Sequence, residues 1–277
     1  MAIKKTTALI LSLALTLVIY GVPQKIYAAT DIVNDATLST QLIECWDDAN
    51  LKGASTSPLT LTKKASAGAI TSTSSDPGNT ASSSWWIDND PTSNVQYLER
   101  ADDGTFDFGS GAFSLSIWVY ILSTVSQSEM SITSKFLGGD DQRSWKLRWD
   151  VNNNLLKWQV TNAGNGGGLT VDKTAVDAND TWYHIVITQD ASQEVTMWLD
   201  GSGTVEGTVQ AAADSAAPFI IGTTDNGGQG QLWNGYIYQA AYWNTKLSSS
   251  SVTSLYNSGS GIPSDLAVAG GGDSLRS

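Results

Sequence analysis

The feature that most limits what this chain can fold into is a period of two. Phe113, Leu115, Ile117 and Val119 alternate with Ser114, Ser116 and Trp118, and a strand places such alternating residues on opposite faces of a sheet. The pattern recurs along the chain. Residues 131–136 form a short run of the same kind, and Trp145, Leu147 and Trp149 alternate with Lys146 and Arg148. Asn152, Asn153 and Asn154 then turn the chain into Leu156, Trp158 and Val160, which reads as a hairpin. Residues 181–188 and 194–199 form a second hairpin, closed beyond its second strand by Asp200 and Gly201. Segments 42–46, 204–210, 219–222 and 232–242 bring the total to roughly a dozen short strands at sandwich spacing. Helical periodicity is confined to 249–257, where Ser248 to Ser250 can cap, Val252, Leu255 and Tyr256 form an apolar side, and Gly259 is the expected stop.

The ends of the chain differ from this body. Lys4 and Lys5 precede an apolar run at 8–20, and Ala28 and Ala29 follow at a cleavage point of small residues, so 1–29 reads as a secretory signal peptide. The run is short for a bilayer span and is followed by Pro23 and Lys25, so the mature chain is not expected to insert in a membrane. Residues 30–262 are expected to form one domain, with a Ser/Thr/Gly-rich surface loop at 66–84, and 263–277 a flexible tail. The single cysteine, Cys45, allows no internal disulfide and is expected to pack in a strand beside Trp46.

Charge narrows the partners. Three of the 15 basic residues (Lys4, Lys5, Lys25) lie in the leader, leaving 12 against 27 acids and a formal charge of −15 on the mature part. Nucleic acid and anionic lipid require a positive surface and are excluded as partners. The acids are almost all Asp, which suits turns and hard-cation ligation.

The order of these segments resembles the bacterial laminin-G-like, concanavalin A-like lectin/glucanase jelly-roll family. The resemblance is carried by Phe113 to Val119, then Trp182, Tyr183 and His184, then Trp198, Leu199, Asp200 and Gly201. It continues with Ile220, Ile221 and Gly222, then Trp233, Asn234 and Gly235, then Tyr242, Trp243 and Asn244, and the end formed by Leu255, Tyr256, Asn257, Ser258 and Gly259. It implies an all-β fold, a two-sheet antiparallel jelly-roll sandwich with a short C-terminal helical turn. Such a shape serves lectins, adhesion modules and some glycanases, so function must be sought in the sites.

Catalysis finds little support. Retaining glycanases need two carboxyl groups about 5 Å apart on one face, and the five Glu residues here are scattered. The only histidine, His184, is expected to be a hydrogen-bonded structural residue. Among the 11 tryptophans, Trp145, Trp149, Trp158, Trp182, Trp233 and Trp243 are expected in the core, with Trp118 as a potential exception. Trp86 and Trp198 should face outward and are the candidate carbohydrate-binding residues, because a sugar's apolar face stacks on an aromatic plane. Family members often hold calcium at one rim, and two Gly-rich loops fit that position here: Asp140 with Asp141, and Asp225 with Asn226. Where many members carry an Asp, this chain has Tyr238, which removes one carboxylate.

These readings converge on a secreted or cell-surface, non-catalytic module for a glycan or cell-surface component, with calcium as its candidate cofactor. The alternative is a structural or adhesive surface protein that self-associates, and a glycoside hydrolase ranks last.

Overall fold

A computed structural model describes residues 42–46, 59–73, 77, 84–89, 94–123, 127–138, 142–164, 168–174, 180–224 and 231–259. In chain order the strands are β1 (Leu42–Trp46), β2 (Thr62–Ala65), β3 (Thr71–Thr73), β4 (Ser84–Ile87), β5 (Gln96–Arg100), β6 (Phe113–Ile121), β7 (Glu129–Phe136) and β8 (Arg143–Asp150). They continue with β9 (Leu155–Gly164), β10 (Leu169–Thr174), β11 (Thr181–Gln189), β12 (Glu194–Leu199), β13 (Ser202–Thr208), β14 (Phe219–Ile221) and β15 (Gly235–Trp243), followed by helix α1 (Ser249–Tyr256). One sheet runs β13-β12-β11-β6-β15-β4-β3, with β1 beside β4 on the same edge of β15. The other runs β10-β9-β8-β7-β14-β5-β2, and every strand pair in both is antiparallel. The two-sheet jelly-roll sandwich is therefore present.

The alternating residues explain why the sheets face each other. Phe113, Leu115, Ile117 and Val119 of β6 and Ile185 and Ile187 of β11 share one buried cluster with Trp145, Leu147, Trp149, Leu156, Trp158 and Val160 of β8 and β9. Aromatic rings fill its centre. Phe106 stacks on Phe219 at 4.3 Å between centroids, Phe108 on Phe113 at 4.1 Å, and Trp145 on Trp158 at 5.4 Å. The β8–β9 hairpin closes through Asn154 at φ 54°, a left-handed position that Asn adopts readily. In the β11–β12 hairpin the Asp190 carboxylate accepts from the backbone N–H groups of Ser192 and Glu194, which fixes the turn.

One irregularity reorders a whole strand. The register of β15 on β6 slips between Tyr238 and Ala241, with Gln239 at φ 47°. A bulge of this kind exchanges the two faces of a strand. Ile237, Ala240 and Tyr242 consequently all reach the inter-sheet core, whereas Ala241 and Trp243 face outward. There α1 covers them. Val252, Leu255 and Leu247 pack with Cys45, Val186, Ala241 and Trp243 in a second apolar cluster on the outer side of the sheet. The Ser248 hydroxyl caps the helix by accepting from Ser251 N–H.

Three expectations are corrected in detail. The stretch 66–84 is not all loop, because Thr71–Thr73 pairs with β4 and Ser84 already belongs to β4. Asn257 at φ 46°, rather than Gly259, ends the helix. The last strand starts at Gly235 rather than at 232. The expected leader at 1–29 and tail at 263–277 lie outside the described residues.

Candidate functional site

The period of β6 that sends Leu115, Ile117 and Val119 inward sends Trp118 and Tyr120 to the outer face, and the same parity in β11 places Trp182 and His184 there, with Trp118 and His184 buried and Tyr120 and Trp182 half-buried. Pairing then aligns the outward rings. Trp86 of β4 lies opposite Tyr236 of β15, Tyr236 opposite Tyr120 of β6, and Tyr120 opposite Trp182 of β11. Four half-buried aromatic side chains thus form one row across four adjacent strands. Trp86 and Tyr236 are 4.6 Å apart between centroids at an interplanar angle of 37°. Tyr236 meets Tyr120 at 5.2 Å and Tyr120 meets Trp182 at 5.5 Å, both edge-on. Tyr238 closes on Trp182 from the next row at 6.4 Å.

The rings brace one another, which leaves a preformed apolar surface with little rotamer freedom still to lose. The Tyr120 phenol is held above its usual range, first by partial burial and then by the Asp180 carboxylate and Tyr236. Asp180 is itself fixed by the backbone N–H of Ser123 at 3.0 Å and its hydroxyl at 2.7 Å, and these bonds hold its carboxyl below the usual carboxylate range.

The sequence expectations fare unequally here. Trp86 faces away from the core and forms one end of the row. Trp198 also lies on the outer side, but it packs against the cluster under α1, its Nε1 donates to Thr188 Oγ1 at 3.1 Å, and its ring covers Gly203. Trp182, expected in the core, stands instead in the outer row, because Tyr183 and Ile185 take the inward positions of β11. Tyr120, Trp182 and Tyr236 were missed as surface residues. Their signal was their parity relative to Val119, Tyr183 and Ile237. Asp140, Asp141, Asp225 and Asn226 lie outside the described residues. Of the described residues that flank the first of those loops in sequence, Arg143 donates through Nη2 to the Gly138 carbonyl at 3.0 Å. Among the described residues no group of three or more His, Cys, Asp or Glu side chains could hold a metal ion.

Below the row, Ser116 Oγ and His184 Nε2 are 2.8 Å apart, a pairing that suggests a nucleophile and its base. Its surroundings differ from a hydrolase site. His184 is 1% exposed, and its ring clusters with Trp118 at 4.7 Å and Tyr256 at 6.1 Å, which are themselves 5.9 Å apart. Asp200, the neighbouring acid, accepts from the backbone N–H of His184 at 2.9 Å rather than from the ring, and Nδ1 has no hydrogen-bond partner among the described residues. Several other acids are held in ion pairs: Asp102 and Asp107 on Lys135, Glu129 on Arg148, and Asp150 on Lys157.

A family model described as the concanavalin A-like lectin/glucanases superfamily matches residues 92–253, more than half of the chain. No curated protein matches. Among solved structures, the binding domain of botulinum neurotoxin DC in complex with SialylT superposes with a TM-score of 0.55 at 12% identity, covering 79% of this chain and 51% of that one. The binding domain of Paraclostridial Mosquitocidal Protein 1 gives 0.54 at 14% identity, covering 79% and 52%. Domain 4 of AbnA, a GH43 extracellular arabinanase from Geobacillus stearothermophilus in complex with arabinotriose, gives 0.52 at 13% identity, covering 77% and 97%. The chain spans about half the length of the toxin domains it matches. At these identities the likeness is one of fold.

Proposed function

Because this chain belongs to the concanavalin A-like lectin/glucanases superfamily, we propose that it is an exported, non-catalytic module that binds glycans through the aromatic row. The observation that carries this reading is the registered line of Trp86, Tyr236, Tyr120 and Trp182 on the outer face of one sheet. Four braced rings offer the flat, amphipathic surface that sugar C–H faces stack on. The leader-like residues 1–29 support export to a place where extracellular glycans are met. The AbnA domain, matched over 97% of its length, is a complex with arabinotriose, so the fold accommodates a sugar ligand in another protein. Calcium belongs to the proposal through the two Gly-rich loops that carry Asp140 with Asp141 and Asp225 with Asn226, whose oxygens suit a hard cation.

The test is a polysaccharide-binding screen of the mature protein, with and without calcium, alongside Trp86→Ala and Trp182→Ala. Binding weakened in both variants is expected; binding by neither wild type nor variants sinks the reading. A second reading, lateral self-association, rests on Val205 and Leu169, which are 59% and 51% exposed on the outermost strands β13 and β10 of the two sheets. Assembly seen by light scattering without any glycan binding would favour it.

A further inference from the structure

The two sheets carry their charges very differently. Every strand-borne Lys and Arg among the described residues lies in the sheet that contains β8: Lys63, Lys64, Arg100, Lys135, the β8 basic residues, Lys157 and Lys173. Most of these are paired with acids of their own, as Arg148 is with Glu129, Lys157 with Asp150 and Lys173 with Glu206. The sheet that bears the aromatic row has no Lys or Arg in any of its eight strands. Among the described residues, the Asp180 carboxylate acts on the row at Tyr120.

We propose that the row takes a linear, uncharged glycan lying across the strands. This rests on the glycan-binding reading of the same row and specifies its ligand. Uronic or sialic acid carboxylates and sulfate groups would find no cation on the described strands of this sheet, would face Asp180, and would approach a mature chain of formal charge −15, so each such group costs binding. The same net charge disfavours a second copy of this chain as the occupant. Direction follows from register. Cross-strand neighbours align the rings perpendicular to the strands, and three strand spacings give a platform of roughly 14 Å, long enough for several consecutive sugars rather than one terminal residue. The Tyr120 and Tyr236 hydroxyls make no hydrogen bond to the described residues, which leaves them available to sugar hydroxyls between the two Trp planes.

Affinity measurements on immobilised polysaccharides would test this, with neutral polymers (mixed-linkage β-glucan, arabinan, galactomannan) set against anionic ones (polygalacturonate, hyaluronan) at low and high sodium chloride. Retention by at least one neutral polymer is expected, insensitive to salt, weakened on the order of tenfold in Trp86→Ala and in Trp182→Ala, and stronger for longer oligosaccharides. Tyr120→Phe and Tyr236→Phe keep the rings and should lose less, which covers the case of a misfolded Trp variant. Binding confined to the anionic polymers, or neutral binding unchanged when both Trp residues are replaced, would overturn this proposal while leaving a lectin-like module. Silence towards every polymer would overturn the module reading with it.

Discussion

Ser116 Oγ and His184 Nε2 lie 2.8 Å apart on neighbouring strands, with the imidazole packed against both Trp118 and Tyr256 of the C-terminal helix. Burial removes the charged form's hydration and pushes the His184 pKa from 6.5 down to about 3. Between those two values the unfolded chain binds a proton that the folded chain does not. Stability is therefore complete above the unfolded value and falls as pH drops through this window, by about 1.4 kcal/mol per pH unit. Asp200, raised by burial, works in the opposite sense nearer the carboxylate range. Urea unfolding at several pH values should give a steeper slope for the wild type than for His184→Gln, and equal slopes would contradict a neutral buried imidazole.

Lys135 is 1% exposed, and its ammonium reaches Asp102 at 2.8 Å, Asp107 at 2.9 Å and the Ser215 carbonyl. Burial raises the Asp107 pKa, against the pull of Lys135. Removing the cation leaves two carboxylates without their partner. Lys135→Met should cost about 3–5 kcal/mol, and adding Asp102→Asn and Asp107→Asn to it should recover a large part of that loss in denaturant melts.

At Gly203 a Cβ would sit 2.3 Å from the ring of Trp198, closer than any neighbour could tolerate. Gly203→Ala should destabilise by about 1–3 kcal/mol through overpacking. The effect should largely vanish in a Trp198→Ala background, so a double-mutant cycle reads the contact directly. Additive costs would mean that the ring can move aside freely.

Cys45 is fully buried beneath α1, against Val252 and Leu255. Its labelling by a thiol reagent should be slow in the native protein and governed by local opening of the helix. Ser248→Ala, which loses the cap at a cost of about 1 kcal/mol, should speed labelling severalfold, and Leu255→Ala should speed it more. Unchanged rates would show that opening does not involve α1.

Calcium at the Asp225 and Asn226 loop would raise the melting temperature by several degrees over a chelated sample, because a ligand that binds only the folded state stabilises it by mass action. Asp225→Asn should abolish the difference. Identical melting curves with calcium and with chelator would remove calcium from the proposal.

Local chemistry determined a great deal without any structure. Period-two alternation in 113–119, 145–149 and 181–188 was enough for the strands, Asn152 to Asn154 and Asp200 with Gly201 marked turns, and the motif order pointed to the jelly roll, because each of these signals acts over a few neighbouring residues. The same parity held the outward positions of Tyr120 and Trp182, although Trp182 was assigned to the core by resemblance. Tertiary structure alone decided the rest. The bulge at Gln239 reversed the faces of β15 midway, sending Tyr242 into the core and Trp243 under the helix, and no run of the sequence announces a left-handed Gln. Strand order, likewise, is set by long-range pairing. Trp86, Tyr236, Tyr120 and Trp182 are separated by up to 150 residues of chain, and only the register of β4, β15, β6 and β11 places them in one row.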